Sequence, residues 1–324
     1  MSIQDRNAGN TGDQLKHALL LEALARLPGD EVWGYAETHA GAGVYVTPHA
    51  PALFRGAWAA TQGAMAEWDP ATERLGPPPG WSYAGALCRW WREQSGPPGL
   101  APEQMSDAAV REVSYPGSAV LALRSQVARG PITLIEADPA VAQRLRIAAD
   151  RLFEPTRWPE RDGWPGPSSR LQVIAGSFAE HLDRIAAASR LVVLVDPYFY
   201  VRESLSCEDG QLGLEHLRLV CQALDACDAV LLVFTSSPPS GMLTVGEAGA
   251  LSGGTWRPLL SDLRALAPSA LRCFRAAETP HAVLAAGWGA GKAIVRGLPG
   301  VTSWERSWLA APPLSLRVVE EVGR

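Results

Sequence analysis

Lysine is almost missing from this chain: of its 29 basic residues only Lys16 and Lys292 are lysines, and the rest are arginines. A basic excess is missing too. The 324 residues carry a formal net charge of −5, whereas proteins that live on duplex nucleic acid usually draw on a positive surplus to neutralise phosphate. An acidic total leaves room for a local arginine patch and argues against a general one. No run approaches the roughly 20 apolar residues that span a bilayer; the longest, such as Leu191–Val195, are strand-length. Met1–Arg6 has no basic stretch leading into an apolar one, so no secretory signal is read and a cytoplasmic location is expected. A disulfide framework is also lacking. Cys88, Cys207, Cys221, Cys227 and Cys273 are odd in number, show no Cys-x-x-Cys spacing and have no histidine at ligand spacing. Reduced, mostly buried thiols and no metal site follow.

What is present is a globular composition, 47% hydrophobic and 19% charged, long enough for one large α/β domain carrying an insertion. Asp13 reads as the cap of a helix from Gln14, with Leu15, Leu19, Leu24 and Leu27 near helical period until Pro28-Gly29. A strand is expected at about 31–37, then the turn Ala40–Gly43. Between 46 and 113 the character changes: Trp58, Trp68, Trp81, Trp90 and Trp91, the loop Pro77–Gly80, and helix-like runs around Ala57–Trp68 and Tyr83–Glu93. This stretch reads as an inserted, mostly helical subdomain, leaving 1–45 and 114–324 as the main domain. From Pro131 strands and helices alternate. Strands are expected at 132–136, 171–175, 191–196, 229–235, 271–276 and 282–288, and helices at 139–152, 178–187, 212–226 and 257–266. Seven strands with alternating helices fit an open, doubly wound, Rossmann-like α/β sheet.

Such a sheet binds ligands at the carboxyl ends of its central strands. Three ends carry candidate chemistry. The first is Glu37-Thr38-His39-Ala40-Gly41-Ala42-Gly43, where Gly41 and Gly43 let backbone approach a ligand closely; a tight turn that binds nothing is the plain alternative. The second is Glu136, an acid ending its strand and suited to ribose hydroxyls, or else a capping acid. It follows Gly41 at far more than the usual spacing, and the insertion accounts for the gap. The third is Asp196-Pro197-Tyr198-Phe199, where a carboxylate, a proline carbonyl and two aromatic rings suit an amine acceptor, or simply end a strand. Methyl transfer to nitrogen is an in-line displacement that depends mainly on alignment, with modest help from proton acceptance, and needs no metal.

Ala8-Gly9-Asn10, Asp13, Leu15-Lys16-His17, Thr38–Gly43, Tyr115-Pro116-Gly117-Ser118, Glu136-x-x-Pro139 and Asp196-Pro197 occur in this order. Together they resemble the ribosomal-RNA large-subunit methyltransferase J family, which methylates N6 of an adenine in 23S rRNA. The resemblance implies a class I methyltransferase fold with a helical insertion after its first strand. It implies S-adenosylmethionine as donor and S-adenosylhomocysteine as product. It further implies that His17, His39, Ser118 and Glu136 contact the donor, that Lys16 lies near the active site, and that Asp196 is the catalytic carboxylate.

The departures gather on the acceptor side. The family's Asp-Pro-Pro-Tyr is Asp196-Pro197-Tyr198-Phe199 here, and loss of the second proline removes a backbone restraint. Its N-terminal aromatic and histidine residues, which grip adenosine, are replaced by Ser2-Ile3-Gln4-Asp5-Arg6-Asn7. Its Asp-Gly after the third strand, which reads the donor's adenine, is Gly176-Ser177. The expected partner is therefore rRNA or a smaller amine acceptor, with no membrane and no metal. Transfer of the donor's aminocarboxypropyl chain, or donor binding without catalysis, are the competing readings.

Overall fold

Residues 11–25 form the first helix, α1, and its start is set by reciprocal side-chain capping. Asn10 caps it, its Oδ1 accepting from the Asp13 N–H at 3.0 Å, while Asp13 Oδ2 accepts from the Gly9 N–H at 2.8 Å. The helix therefore begins at Thr11 with Asn10 as its cap, one turn's worth earlier than the Asp13 start expected from sequence. Asp13 is left facing Lys16, one turn on. Except at its C-terminal end α1 is buried on nearly every side, His17 and Lys16 included, as a helix enclosed between layers must be.

The structure, a computed structural model, describes residues 8–46, 68–69, 74–75, 83, 86–87, 90, 114–125, 129–152, 169–185, 187–197, 199–202, 211–236, 256–266, 270–276, 281–298 and 316–322. After α1 come β1 (Gly34–Glu37), β2 (Val44–Val46), β3 (Trp68–Asp69), β4 (Arg74–Leu75), β5 (Ser114–Pro116) and α2 (Ser118–Ser125). Then follow β6 (Ile132–Glu136), α3 (Pro139–Leu152), β7 (Leu171–Ala175), a 3₁₀ turn (Phe178–His181), α4 (Leu182–Ile185) and β8 (Arg190–Val195). The chain continues through β9 (Phe199–Tyr200), β10 (Gln211–Leu212), α5 (Leu214–Leu224), β11 (Asp228–Thr235) and α6 (Trp256–Leu266). It ends with β12 (Leu271–Ala276), β13 (Ala282–Trp288), α7 (Gly291–Gly297) and β14 (Leu316–Val322).

The main sheet has eight strands in the order β14-β12-β13-β11-β8-β1-β6-β7. Strands β11, β8, β1, β6 and β7 run parallel, and β13 is antiparallel to both neighbours. From β1 the chain winds outward through β6 and β7, and from β8 it winds the other way. The reversal lies between β1 and β8, the place where a doubly wound sheet opens a crevice for ligands. Alternate residues feed two cores. Tyr35, Ile132, Leu134, Val192, Leu194, Val230 and Leu232 pack with α1, α2 and α7; Ala36, Ile135, Leu191, Val193, Val195 and Leu231 pack with α5 and α6. Burying each such side chain is worth about 1.5–3 kcal/mol, so the central strands are the most secure part of the scaffold.

Several expectations need correction. The seven expected strands are all in the sheet, and β14 adds an eighth at its edge. The helix expected over 178–187 begins as a tight 3₁₀ turn and becomes α-helical only at Leu182. Trp68 lies in a strand, not a helix: Asp69 precedes Pro70, which disfavours helical backbone there and leaves Trp68–Asp69 extended against Arg74–Leu75. Helix α7 went unread because Gly291 dilutes its pattern. A Cβ at Gly291 would stand 1.9 Å from the Ala229 carbonyl oxygen, so only glycine lets this helix lie against β11. Most of 46–113, including Trp58, Trp81 and Trp91, lies outside the described residues. The strands flanking that segment are described: β2 and β5 pair antiparallel, Val44 with Pro116 and Val46 with Ser114, so the chain leaves and re-enters at one place.

Candidate functional site

Strand register brings three carboxylates together. Glu37, the last residue of β1, pairs with Leu134 of β6 on one side and with Leu194 of β8 on the other. Side chains repeat every two residues along a strand. Glu136 and Asp196, each two residues beyond those partners, therefore project on the same face as Glu37 at the carboxyl end of the sheet. All three stand where the strand order reverses.

The turn after β1 is tied to both neighbouring strands. The Thr38 N–H donates to the Leu194 carbonyl at 3.1 Å, and the Ala40 N–H donates to the Ile135 carbonyl at 2.9 Å. Gly41 and Gly43 take positive φ, 62° and 71°, and a Cβ at Gly43 would meet Leu145 Cδ1 at 2.7 Å. Glycine at Gly43 thus satisfies both backbone sign and packing. Across 95 positions of sequence, Glu136 Oε2 accepts the Gly41 N–H at 2.9 Å, and Oε1 accepts the Asp138 N–H at 3.0 Å. A carboxylate offers about four lone-pair sites. Two are used by these backbone groups, which leaves acceptor capacity at the mouth of the crevice. Burial raises the Glu136 pKa, with those two N–H groups and that of Ala137 working against it.

Asp196 is half-buried at the end of β8, and its Oδ2 receives a hydrogen bond from Lys16 Nζ at 2.5 Å. The same ammonium binds Asp13 Oδ1 at 2.9 Å and sits 5.4 Å from the centre of the Phe234 ring. One buried cation is shared by two carboxylates. Burial raises the Asp196 pKa and Lys16 opposes it. For Asp13 burial pushes up as well, but the Lys16 charge and the bonds from Lys16 and Gly9 outweigh it and the value falls. Burial disfavours the Lys16 ammonium, yet Asp13 and Asp196 together hold its pKa well above the ordinary value. Past Asp196, Pro197 is buried, and Phe199 opens β9 with its side chain outside the description. Tyr198 lies outside the described residues. The downstream end of this segment is anchored: Tyr200 OH donates to Asp262 Oδ2 at 2.6 Å, and Arg202 pairs with Asp262 Oδ1 at 3.0 Å.

Glu37 is fully buried and accepts from Tyr35 OH at 2.8 Å and from Ser118 Oγ. Burial, followed by the Asp196 charge, drives its pKa up from 4.5 to about 8, against the Ser118 and Tyr35 bonds and the Lys16 charge. Glu37 is therefore mainly a neutral acid at pH 7 in the folded chain and an anion once unfolded. The folded state holds the extra proton between 4.5 and about 8, so its stability falls as pH rises through that window. Urea midpoints measured from pH 5 to pH 9 are expected to decline for the natural chain and to decline less for Glu37→Gln; parallel profiles would contradict this.

The remaining sequence candidates fall around the same end of the sheet. His17 is buried; its Nδ1 is 2.9 Å from Tyr115 OH, and its Nε2 has no hydrogen-bond partner among the described residues. Burial, then the Lys16 charge, holds its pKa near 3, so the ring is neutral. His39 Nδ1 lies 2.7 Å from Thr38 Oγ1 and its ring is tilted against Phe178 at 5.3 Å. Burial, with His216 and Lys16 adding to it, lowers the His39 pKa to about 4. Ser118 heads α2, bonded to Glu37. Gly176 gives its N–H to the Glu136 carbonyl at 3.0 Å, beside β6, and Ser177 precedes the 3₁₀ turn without capping it through its side chain. Asp13, Tyr35 and Tyr115 join the site as bonded partners, roles that sequence reasoning did not assign; the i,i+3 spacing of Asp13 and Lys16 on one helix is the signal that could have found the first. Among the described residues no group of three or more His, Cys, Asp or Glu could hold a metal. No described helix is long and apolar enough to cross a membrane.

No family model matches the chain, and no curated protein matches it. Solved structures do resemble it. Protein LPL1258 from Legionella pneumophila, described under the family model DUF519, matches at 16% identity over 96% of this chain and 98% of its own, with a TM-score of 0.55. Spermidine synthase from Thermotoga maritima matches at 11% identity over 91% and 65%, TM-score 0.39. The methyltransferase domain of bacterial CtHen1 matches at 15% identity over 52% and 83%, TM-score 0.30. The sheet order, with β13 set antiparallel between β11 and β12, defines a Rossmann-like class I methyltransferase fold. The Legionella protein shares the overall fold along almost the whole chain.

Proposed function

We propose that the chain is an S-adenosylmethionine-dependent N-methyltransferase acting on an amine nitrogen. In the family its motifs resemble, that nitrogen is N6 of an adenine in 23S rRNA; the altered acceptor motifs also suit a smaller diverged amine. The observation that carries the reading is the Glu136 carboxylate bonded to the Gly41 N–H at 2.9 Å, with Asp196 on the neighbouring strand end.

The residues fit such a donor. Glu136 keeps lone pairs for two ribose hydroxyls, Gly41 and Gly43 let the backbone lie close, and His17 Nε2 is a buried polar atom awaiting a partner. His39, Ser118 with Glu37, Gly176 and Ser177 complete the proposed donor set. When bound, S-adenosylmethionine would supply a methyl group on a sulfonium. Asp196 and the Pro197 carbonyl would accept hydrogen bonds from the acceptor NH2 and turn its lone pair toward that methyl, with Tyr198 or Phe199 stacking on a planar acceptor. The N–CH3 bond would form as the S–CH3 bond breaks, the electron pair staying with the donor's sulfur. Asp196, held by Lys16, would steady the charge growing on nitrogen and accept the proton that leaves it. We also propose that 1–45 and 114–324 form the methyltransferase domain and 46–113 an inserted subdomain.

The test is direct. The protein is incubated with S-adenosylmethionine and either unmodified 23S rRNA fragments or small aromatic amines, and products are weighed by mass spectrometry. Gain of one CH2 supports methylation. Gain of the aminocarboxypropyl mass, or tight donor binding with no transfer to any amine, would replace this reading with one of its competitors.

A further inference from the structure

Behind His17 runs a pair of hydroxyls that leads out of the sheet and into the segment between β2 and β5. His17 Nδ1 is 2.9 Å from Tyr115 OH, and Tyr115 OH is 2.6 Å from Tyr83 OH. All three residues are buried. Tyr83 shares a helical face with Ala86, Leu87 and Trp90, at positions i, i+3, i+4 and i+7, and that whole face is buried in the core around α1 and α2. The face is fastened beside β5, because Trp90 Nε1 donates to the Ser114 carbonyl at 3.0 Å. Tyr83 is thus held rigidly against Tyr115, although 32 positions separate them in sequence.

Tyr115 has one hydroxyl proton and two neighbours. If it donates to His17 Nδ1, the neutral imidazole carries its own proton on Nε2 and that atom is a donor. If it donates to Tyr83, the imidazole proton sits on Nδ1 and Nε2 becomes an acceptor. The choice therefore passes from Tyr83 to the far side of the His17 ring. There Nε2 is buried with no partner among the described residues. A buried polar atom left unmatched is costly, so a ligand group of the right polarity is favoured there and one of the wrong polarity is rejected.

We infer that Tyr83, contributed by the segment between β2 and β5, is a positioning residue of the donor site: through Tyr115 its hydroxyl sets the tautomer that His17 presents to the methyl donor. This rests on the proposed reading that the donor binds beside His17. Tyr83 touches no ligand itself and acts through two intermediates. Through Tyr83 the segment then takes part in the donor pocket's chemistry.

Tyr83→Phe keeps the ring and its packing while removing the hydroxyl. Two readouts apply to the full-length protein: histidine 15N chemical shifts, which report the tautomer of His17, and calorimetric titration with S-adenosylhomocysteine. The natural chain is expected to show one dominant His17 tautomer. In Tyr83→Phe the tautomer populations shift and affinity falls about three- to tenfold, the size expected for one lost neutral hydrogen bond. Tyr115→Phe, which removes the connection altogether, is expected to weaken binding at least as much. A variant that melts earlier yet keeps the His17 tautomer and the affinity would show Tyr83 to be mere packing and overturn the inference. If the natural chain binds S-adenosylhomocysteine and both variants bind it equally well, the inference alone falls. If the natural chain does not bind it, the donor reading and this inference fall together.

Discussion

Asp196→Asn is expected to lower kcat for methyl transfer by at least about a hundredfold, the usual scale for removing a positioned proton acceptor, while affinity for S-adenosylhomocysteine changes less than about threefold. The substitution is nearly isosteric, so β8 and its core residues Val193 and Val195 have no reason to move. What disappears is the charge. Lys16 loses one of its two anionic partners and keeps Asp13 at 2.9 Å, so the ammonium stays bound but no anion faces the acceptor. The acceptor nitrogen then lacks the group that orients its lone pair and steadies the positive charge forming on it. The proposed donor contacts lie at other strand ends, at Gly41 and Glu136, which is why binding and turnover should separate. Undiminished turnover in this variant would remove Asp196 from the chemistry; a parallel loss of donor affinity would mean that it grips the donor instead.

Glu136→Ala is the second large effect, expected at binding: about a hundredfold weaker affinity for S-adenosylhomocysteine by calorimetry. Hydrogen bonds to a charged group are worth about 1.5–3 kcal/mol each, and the carboxylate has room for two ribose hydroxyls. Even the lower end of that range, taken twice, amounts to about a hundredfold. The same carboxylate fixes the Gly41 and Asp138 N–H groups, so its removal also loosens the turn on which the donor would lie. Glu136→Gln separates these effects, because an amide oxygen can keep the Gly41 bond while the charge is gone. Affinity unchanged in both variants would leave the Gly41–Gly43 turn as a βα connection that binds nothing.

Much of the scaffold is legible in the sequence where one physical signal dominates. Strands β6, β7, β12 and β13 and helix α3 stand where the apolar runs and the proline at Pro139 place them. Strands β8 and β11 do too, β8 shifted by one residue and β11 starting one residue earlier. Legibility fails where packing overrides local pattern. Helix α7 hides behind Gly291, whose lack of a side chain is a tertiary requirement. Strand β14 carries Glu320 and Glu321 in an edge position, which blurs the alternation of a half-buried strand. Glu136 and Gly41 can be paired in thought because each type is expected at its strand end, and the long gap between them has an explanation in the segment after β2. That Lys16 lies near the active site is what the family resemblance implies, since nothing in local pattern marks a buried lysine on α1; its bond to Asp196 is what the structure adds. The contact of Tyr83 with Tyr115 is of another kind. It depends on how a helix face from a distant segment lies against β5, and no spacing rule encodes that.

The donor pocket is the claim on which the rest depends, and a crystal structure with S-adenosylhomocysteine addresses it in one step. The ribose hydroxyls are expected within hydrogen-bond distance of the Glu136 carboxylate, about 3 Å, with the ligand lying over Gly41–Gly43 and its sulfur turned toward Asp196. A nucleoside bound elsewhere, with Glu136 and Gly41 still facing only each other, would contradict it.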